Sequence, residues 1–130
     1  MENGGQALDC NDAHFGAIDN LIAPGNALNM GDGWETRRRR QPGYDWAIIA
    51  LGHCGRIARI EVDTMHFKGN YPAQCSLQAA NATGSGSAAI AAQSLYWQTL
   101  LPVQPLQADR LHGFEDQIND LGTVSHVRFC

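Results

Sequence analysis

Residues 45 to 51 carry apolar side chains in both phases of an extended chain, with Trp46, Ile48 and Ala50 pointing one way and Ala47, Ile49 and Leu51 the other. A strand apolar on both faces belongs in the middle of a sheet covered on each side. Gly52-His53-Cys54-Gly55 then predicts a turn, because glycine at each end frees the backbone. From Ile57 to Thr64 the pattern becomes alternating: Ala58, Ile60, Val62 and Thr64 share one face, Arg59, Glu61 and Asp63 the other. This describes a half-buried antiparallel strand. Cys75 to Ala80, Trp97 to Leu101 and Ser125 to Cys130 are shorter strand candidates between Gly and Pro turns. Short strands at such intervals predict an all-β chain folded as an antiparallel β-sandwich.

Helical periodicity is almost absent. Asp12 to Ile22 has room for one short helical turn, with Asp12 as its cap. Between Asn81 and Ser94 the composition shifts to Ala, Gly and Ser, which bury little, so residues 81–94 are expected to form a mobile surface insertion. Within it, Gly84-Ser85-Gly86-Ser87-Ala88-Ala89 has the spacing of a dinucleotide-binding loop. Pro102 and Pro105 interrupt the interval to Asp109, and no second parallel strand precedes that residue, so the match is rejected.

The 130 residues, 44% apolar, suffice for one compact domain, residues 1–130. A net charge of −4 argues against a nucleic-acid partner, which needs broad positive surface. The one basic run, Arg37 to Arg40, reads as a solvated segment, since four successive side chains cannot all enter one pocket. Cys10, Cys54, Cys75 and Cys130 are scattered and have no C-x-x-C spacing, which points to free thiols in a reducing compartment. With no apolar leader and no run long enough for a membrane span, the expected location is cytoplasmic, without a membrane partner.

Two polar clusters carry the candidate chemistry. Gly31 to Arg40 offers Glu35, Thr36 and four guanidinium groups, and Glu61 to Pro72 brings together acid, base, cation and amide at a strand end. Such a mixture suits a small anionic substrate. His66 and Lys68 share a face if the segment stays extended, and Gly69 permits a turn that returns Asn70 toward them. Asp63 falls on the opposite face from His66 and is assigned a supporting role, orienting an Arg or His. Trp46 reads as a core anchor, while Trp34 suits a core or a stacking role equally. Asp32, between two glycines, reads as a turn residue.

The stretches Asp12-Ala13-His14-Phe15-Gly16, Asn20 to Gly25, Asn29 to Arg40, Pro42-Gly43-Tyr44-Asp45-Trp46, Glu61 to Pro72, Trp97 to Pro102 and Ser125-His126-Val127-Arg128 closely resemble the allantoicase family, in the family's order. The resemblance is to the second of that family's two homologous repeats. It implies a jelly roll of the galactose-binding type, with a further closing strand after Cys130 and an edge for a companion repeat or oligomer partner to cover. It also implies hydrolysis of allantoate to ureidoglycolate and urea. Against that reaction, Arg37 or Lys68 would bind the carboxylate, Asn70 the ureido group, and Glu35 and His66 would divide the acid and base roles, with Thr36 and Asp63 in support. Glu35 has an alternative as a partner of a neighbouring arginine. No cofactor is expected; a metal on Glu35, Asp63 and His66 lacks any supporting ligand spacing. The alternative function is a non-catalytic ligand-binding or assembly module on the same scaffold.

Overall fold

The structure, a computed structural model, describes residues 4–13, 16–37, 40 and 43–130. His14, Phe15, Arg38, Arg39 and Pro42 lie outside the described residues. The strands are β1 (Gln6–Cys10), β2 (Ala47–Gly55), β3 (Ile60–Asp63), β4 (Gln74–Ala80), β5 (Gln98–Pro105), β6 (Leu111–Phe114) and β7 (Val124–Phe129). A short helix, α1 (Ser87–Gln93), precedes β5, and 3-10 turns cover Ile18–Ile22, Met30–Asp32 and Ser94–Tyr96. Five strands form one antiparallel sheet in the order β1-β2-β7-β4-β5, while β3 and β6 pair separately.

The two sheets face each other across one core. Leu77 on β4, Leu101 on β5 and Val127 on β7 pack with Phe114 on β6, and Ile60 and Val62 on β3 close against them. Ile49 faces this core, but Ile48, its neighbour on β2, faces a second cluster with Ala82 and Ile90. The double-sided apolar character of β2 therefore reflects a sheet covered on both faces.

That second cluster corrects the expectation for residues 81–94. Ala82, Ile90 and Ser94 are buried, so this stretch seals one face of the large sheet. Helix α1 lacks a side-chain cap at Gly86 and owes its stability to packing Ile90 rather than to local signals. The Gly52 to Gly55 turn is corrected too: β2 continues through it. Ala50 pairs with His126 and Gly55 with Val124, five residue steps on β2 against two on β7, so the extra residues are absorbed as an irregularity within the ladder. Pro102 and Pro105 lie in β5 without breaking it, because β5 is an edge strand with fewer ladder bonds to supply.

A short 3-10 turn does form at Ile18–Ile22, but Asp12 does not cap it. Strands β1 and β6 carry no strong pattern of their own. Each is fixed by its partner, β6 through the register Ile60↔Phe114 to Asp63↔Leu111.

Candidate active site

Beside the small sheet lies an open cleft of about 1570 Å³, walled by the 23–28 loop, the 33–37 segment, the end of β3 and residues 69–74. Its floor is apolar, with Ile49, Leu77 and Phe129 from the large sheet. The segment Gly33 to Arg37 is set by close backbone approach: Gly16 pairs with Glu35, and a Cβ on Gly16 would stand 1.8 Å from the Gly33 carbonyl oxygen. Asn20 also donates to Gly33 O at 3.0 Å. The preceding turn is closed by a capping box in which Asn29 Oδ1 accepts from Gly31 N at 2.8 Å and the Asp32 carboxylate accepts from the Leu28 and Asn29 amides. Asp32 thus serves the turn.

Glu35 is half-buried on the cleft wall, and the Asn70 amide lies 3.4 Å from its Oε1. The two sequence clusters meet at this contact. Arg37 is exposed and lines the same cleft, its backbone N donating to Asp12 Oδ2 at 2.6 Å. Thr36 is turned to its support, its hydroxyl donating to Asp45 Oδ2 at 2.7 Å. Asp63 lines the cleft at the end of β3, where its Oδ1 accepts from Met65 N at 2.8 Å and fixes the turn that follows.

His66 and Lys68 are placed differently. Strand β3 ends at Asp63 and the backbone at His66 is left-handed, φ 74°, so residues 66–68 are not one extended segment and the two side chains do not share a strand face. Neither belongs to the cleft lining. The His66 ring is half-buried, its Nε2 2.8 Å from Ala27 O, which makes Nε2 the donor and leaves Nδ1 as the other ring atom. Lys68 is exposed. Among the described residues no three His, Cys, Asp or Glu side chains converge as a metal donor set, so Glu35, Asp63 and His66 are not gathered on one point.

Three residues outside the sequence assignment frame the site. Asn11 donates to Asp45 Oδ1 at 2.7 Å and accepts from Trp46 N at 2.8 Å, locking the entry of β2 to the exit of β1. Asp12 receives the Trp34 indole N–H on its carbonyl at 2.8 Å as well as Arg37 N on its carboxylate. The available signal was the pair of amide- and acid-bearing residues immediately after β1, with Asp45 just before β2. His112, by contrast, is fully occupied in holding β6: Gln107 N donates to its Nε2 at 2.9 Å and its Nδ1 donates to Val62 O at 3.0 Å.

Comparison with known proteins places this geometry. The family description "Allantoicase repeat" matches residues 1–130. A "Probable allantoicase" of Pseudomonas paraeruginosa is 63% identical over 126 residues, which are 97% of this chain and 38% of the relative. The crystal structure of allantoicase from Saccharomyces cerevisiae superposes with a TM-score of 0.81 at 39% identity, covering 98% of this chain and 36% of that one. The C-terminal domain of a chitobiase from Bacteroides fragilis matches with a TM-score of 0.62 at 13% identity, over 97% of this chain and 79% of that one, a likeness of fold alone. The fold is an antiparallel β-sandwich, a jelly roll of the galactose-binding type. This chain spans little more than a third of the length of the curated relatives it matches. With a match along its whole length and more than half of its residues shared with such a relative, the chain belongs to the allantoicase family, as one allantoicase repeat.

Proposed function

We propose that this repeat contributes a substrate cleft for the hydrolysis of allantoate to ureidoglycolate and urea, acting with a companion repeat in a larger cytoplasmic enzyme. The observation that carries the reading is the meeting of Asn70 with Glu35 on the wall that also bears Arg37. Allantoate presents one carboxylate and two ureido groups on a single carbon. A guanidinium matches the carboxylate as a forked donor, and a side-chain amide matches both the carbonyl and the N–H edge of a ureido group.

The products dictate where the bonds change. Urea leaves whole, so the bond that breaks joins the α-carbon to a ureido nitrogen, and the water oxygen ends on that carbon. One proton from the water must reach the departing nitrogen. Glu35, half-buried beside Asn70, is the carboxylate suited to move it, and Arg37 holds the substrate carboxylate.

The test is urea release from allantoate by the purified chain, alone and with the companion repeat supplied. Release that disappears in Glu35→Gln supports the assignment. Allantoate binding without urea release in either preparation would support a ligand-binding module instead.

A further inference from the structure

Among the described residues, two that are not glycine adopt a left-handed backbone, His66 with φ 74° and Asp109 with φ 50°, and they are bonded to each other. Asp109 Oδ1 accepts from His66 N at 2.7 Å, while Asp109 N donates to Phe67 O at 3.0 Å. Beneath them Thr64, buried to 3% exposure, ties the same two turns together. Its hydroxyl donates to Gln107 O at 2.6 Å and accepts from Arg110 N at 3.1 Å. Left-handed conformations at side-chain-bearing residues persist only where surrounding contacts over-determine them, and such sites cluster at functional positions. Here the contacts hold one group in place: the His66 ring, whose Nε2 donates to Ala27 O at 2.8 Å across 39 residues of sequence.

Ala27 sits in the loop of residues 23–28, which forms one wall of the cleft. We infer that His66 is a positioning residue, a latch that fixes this loop against the cleft, with Asp109 and Thr64 as its brace. The inference rests on the catalytic reading above for its purpose, though the latch itself is a matter of loop order. It gives His66 a task distinct from carrying a proton: the nitrogen it uses is a donor to a main-chain carbonyl, and the side chain is not part of the cleft lining. The strained backbone follows from the task. With β3 already ended at Asp63, the left-handed backbone at residue 66 lies in the turn that presents the ring to the loop.

Two measurements on four variants at two positions test this. Hydrogen exchange is followed at the loop's backbone amides, above all at Leu28 and Asn29, which donate to the Asp32 carboxylate, and KM and kcat for allantoate are measured with the companion repeat present. His66→Ala is expected to speed exchange in the loop by roughly tenfold or more, the sign of a lost local restraint, and to raise KM more than it lowers kcat. His66→Gln, which keeps a donor at nearly the reach of Nε2 but cannot carry a proton, is expected to restore both. Asp109→Gly, which accepts the left-handed backbone but removes the acceptor, should loosen the loop, and Asp109→Asn should not. Unchanged exchange in His66→Ala overturns the latch whatever the activity. Loop protection restored by His66→Gln with turnover still lost would make His66 a proton carrier and overturn the positioning role. Exchange behaving as expected in a protein that never releases urea would leave the latch standing and remove the catalytic reading instead.

Discussion

The guanidinium carbon of Arg128 lies 4.6 Å from the centroid of the Trp46 ring, in a cation–π contact between the ends of β7 and β2. Arg128 is buried to 4% exposure, and its Nη1 donates to Ser94 Oγ at 2.7 Å, so one side chain joins β7, β2 and the turn after α1. No salt bridge to Arg128 exists among the described residues. The charge is stabilised by the ring face, the Ser94 hydroxyl and a longer contact of 3.5 Å from Nη2 to the Tyr44 hydroxyl.

Trp46→Ala is therefore expected to destabilise the fold by about 2–4 kcal/mol, since it removes a half-buried ring packed on the Ile48–Ala82–Ile90 cluster and strips a buried cation of its partner. Arg128→Ala should cost a comparable amount, and the double variant less than the two together, with a coupling of about 1–2 kcal/mol. Denaturant midpoints of the four proteins decide it. Additive losses would show that the ring and the guanidinium act independently.

This pair also marks where the sequence was legible and where it was not. Trp46 is legible in the double-sided apolar pattern of residues 45 to 51, and the alternation from Ile57 to Thr64 gives the core-facing side of β3, because burial on a sheet imposes a period of two. Residues 81–94 gave no such signal. Small residues have no period to read, and Ile90 is buried only because the turn through Ala82 and Ser94 brings α1 onto the sheet. At the site, Glu35 and Asn70 were identified by their chemistry and lie together, yet that meeting depends on Gly16 and Gly33 in two distant turns. The extended reading of residues 66–68 failed for a local reason, the left-handed backbone at His66, which a bond from Asp109 supports and no local pattern specifies.

Gly16→Ala should disturb both fold and site. A Cβ there would meet the Gly33 carbonyl oxygen at 1.8 Å, and because the obstacle is backbone, the segment bearing Glu35 has to move. The expected loss is about 1–3 kcal/mol, in the range of overpacking a close contact, accompanied by reduced turnover. Gly55→Ala is the control, since no atom lies within 4 Å of the position its Cβ would take. Equal thermal midpoints for the two variants would show that the Gly16 contact is dispensable.

Stability should fall at both ends of the pH range, for separate reasons. Burial lowers the His126 pKa below its ordinary 6.5, so as pH falls through 6.5 the unfolded chain takes up a proton before the folded one, and stability declines until the folded-state pKa is passed. Burial pushes the Cys75 thiol from 9.0 up to about 11, so the unfolded chain loses its proton first as pH rises above 9.0, and stability declines toward 11. Thermal midpoints across pH read both. His126→Gln should flatten the acid limb and Cys75→Ala the alkaline limb; a limb that keeps its slope in the matching variant owes it to another group.

Arg37 and Lys68 were equal candidates for the substrate carboxylate by sequence, and the structure separates their positions. Arg37 stands on the cleft wall beside the Glu35–Asn70 contact, on a backbone anchored by Asp12, whereas Lys68 is exposed and outside the lining. Arg37→Ala is expected to weaken allantoate binding by about 1.5–3 kcal/mol, the range for a charge-assisted hydrogen bond. Lys68→Ala should change it by less than about 0.5 kcal/mol, as for a screened surface charge. Calorimetric titration at two ionic strengths sharpens the comparison, because a residual Lys68 effect acting through solvent weakens with salt and a direct contact in the cleft persists. A loss for Lys68→Ala equal to that for Arg37→Ala, and insensitive to salt, would move the carboxylate to the rim and remove Arg37 from its assigned role.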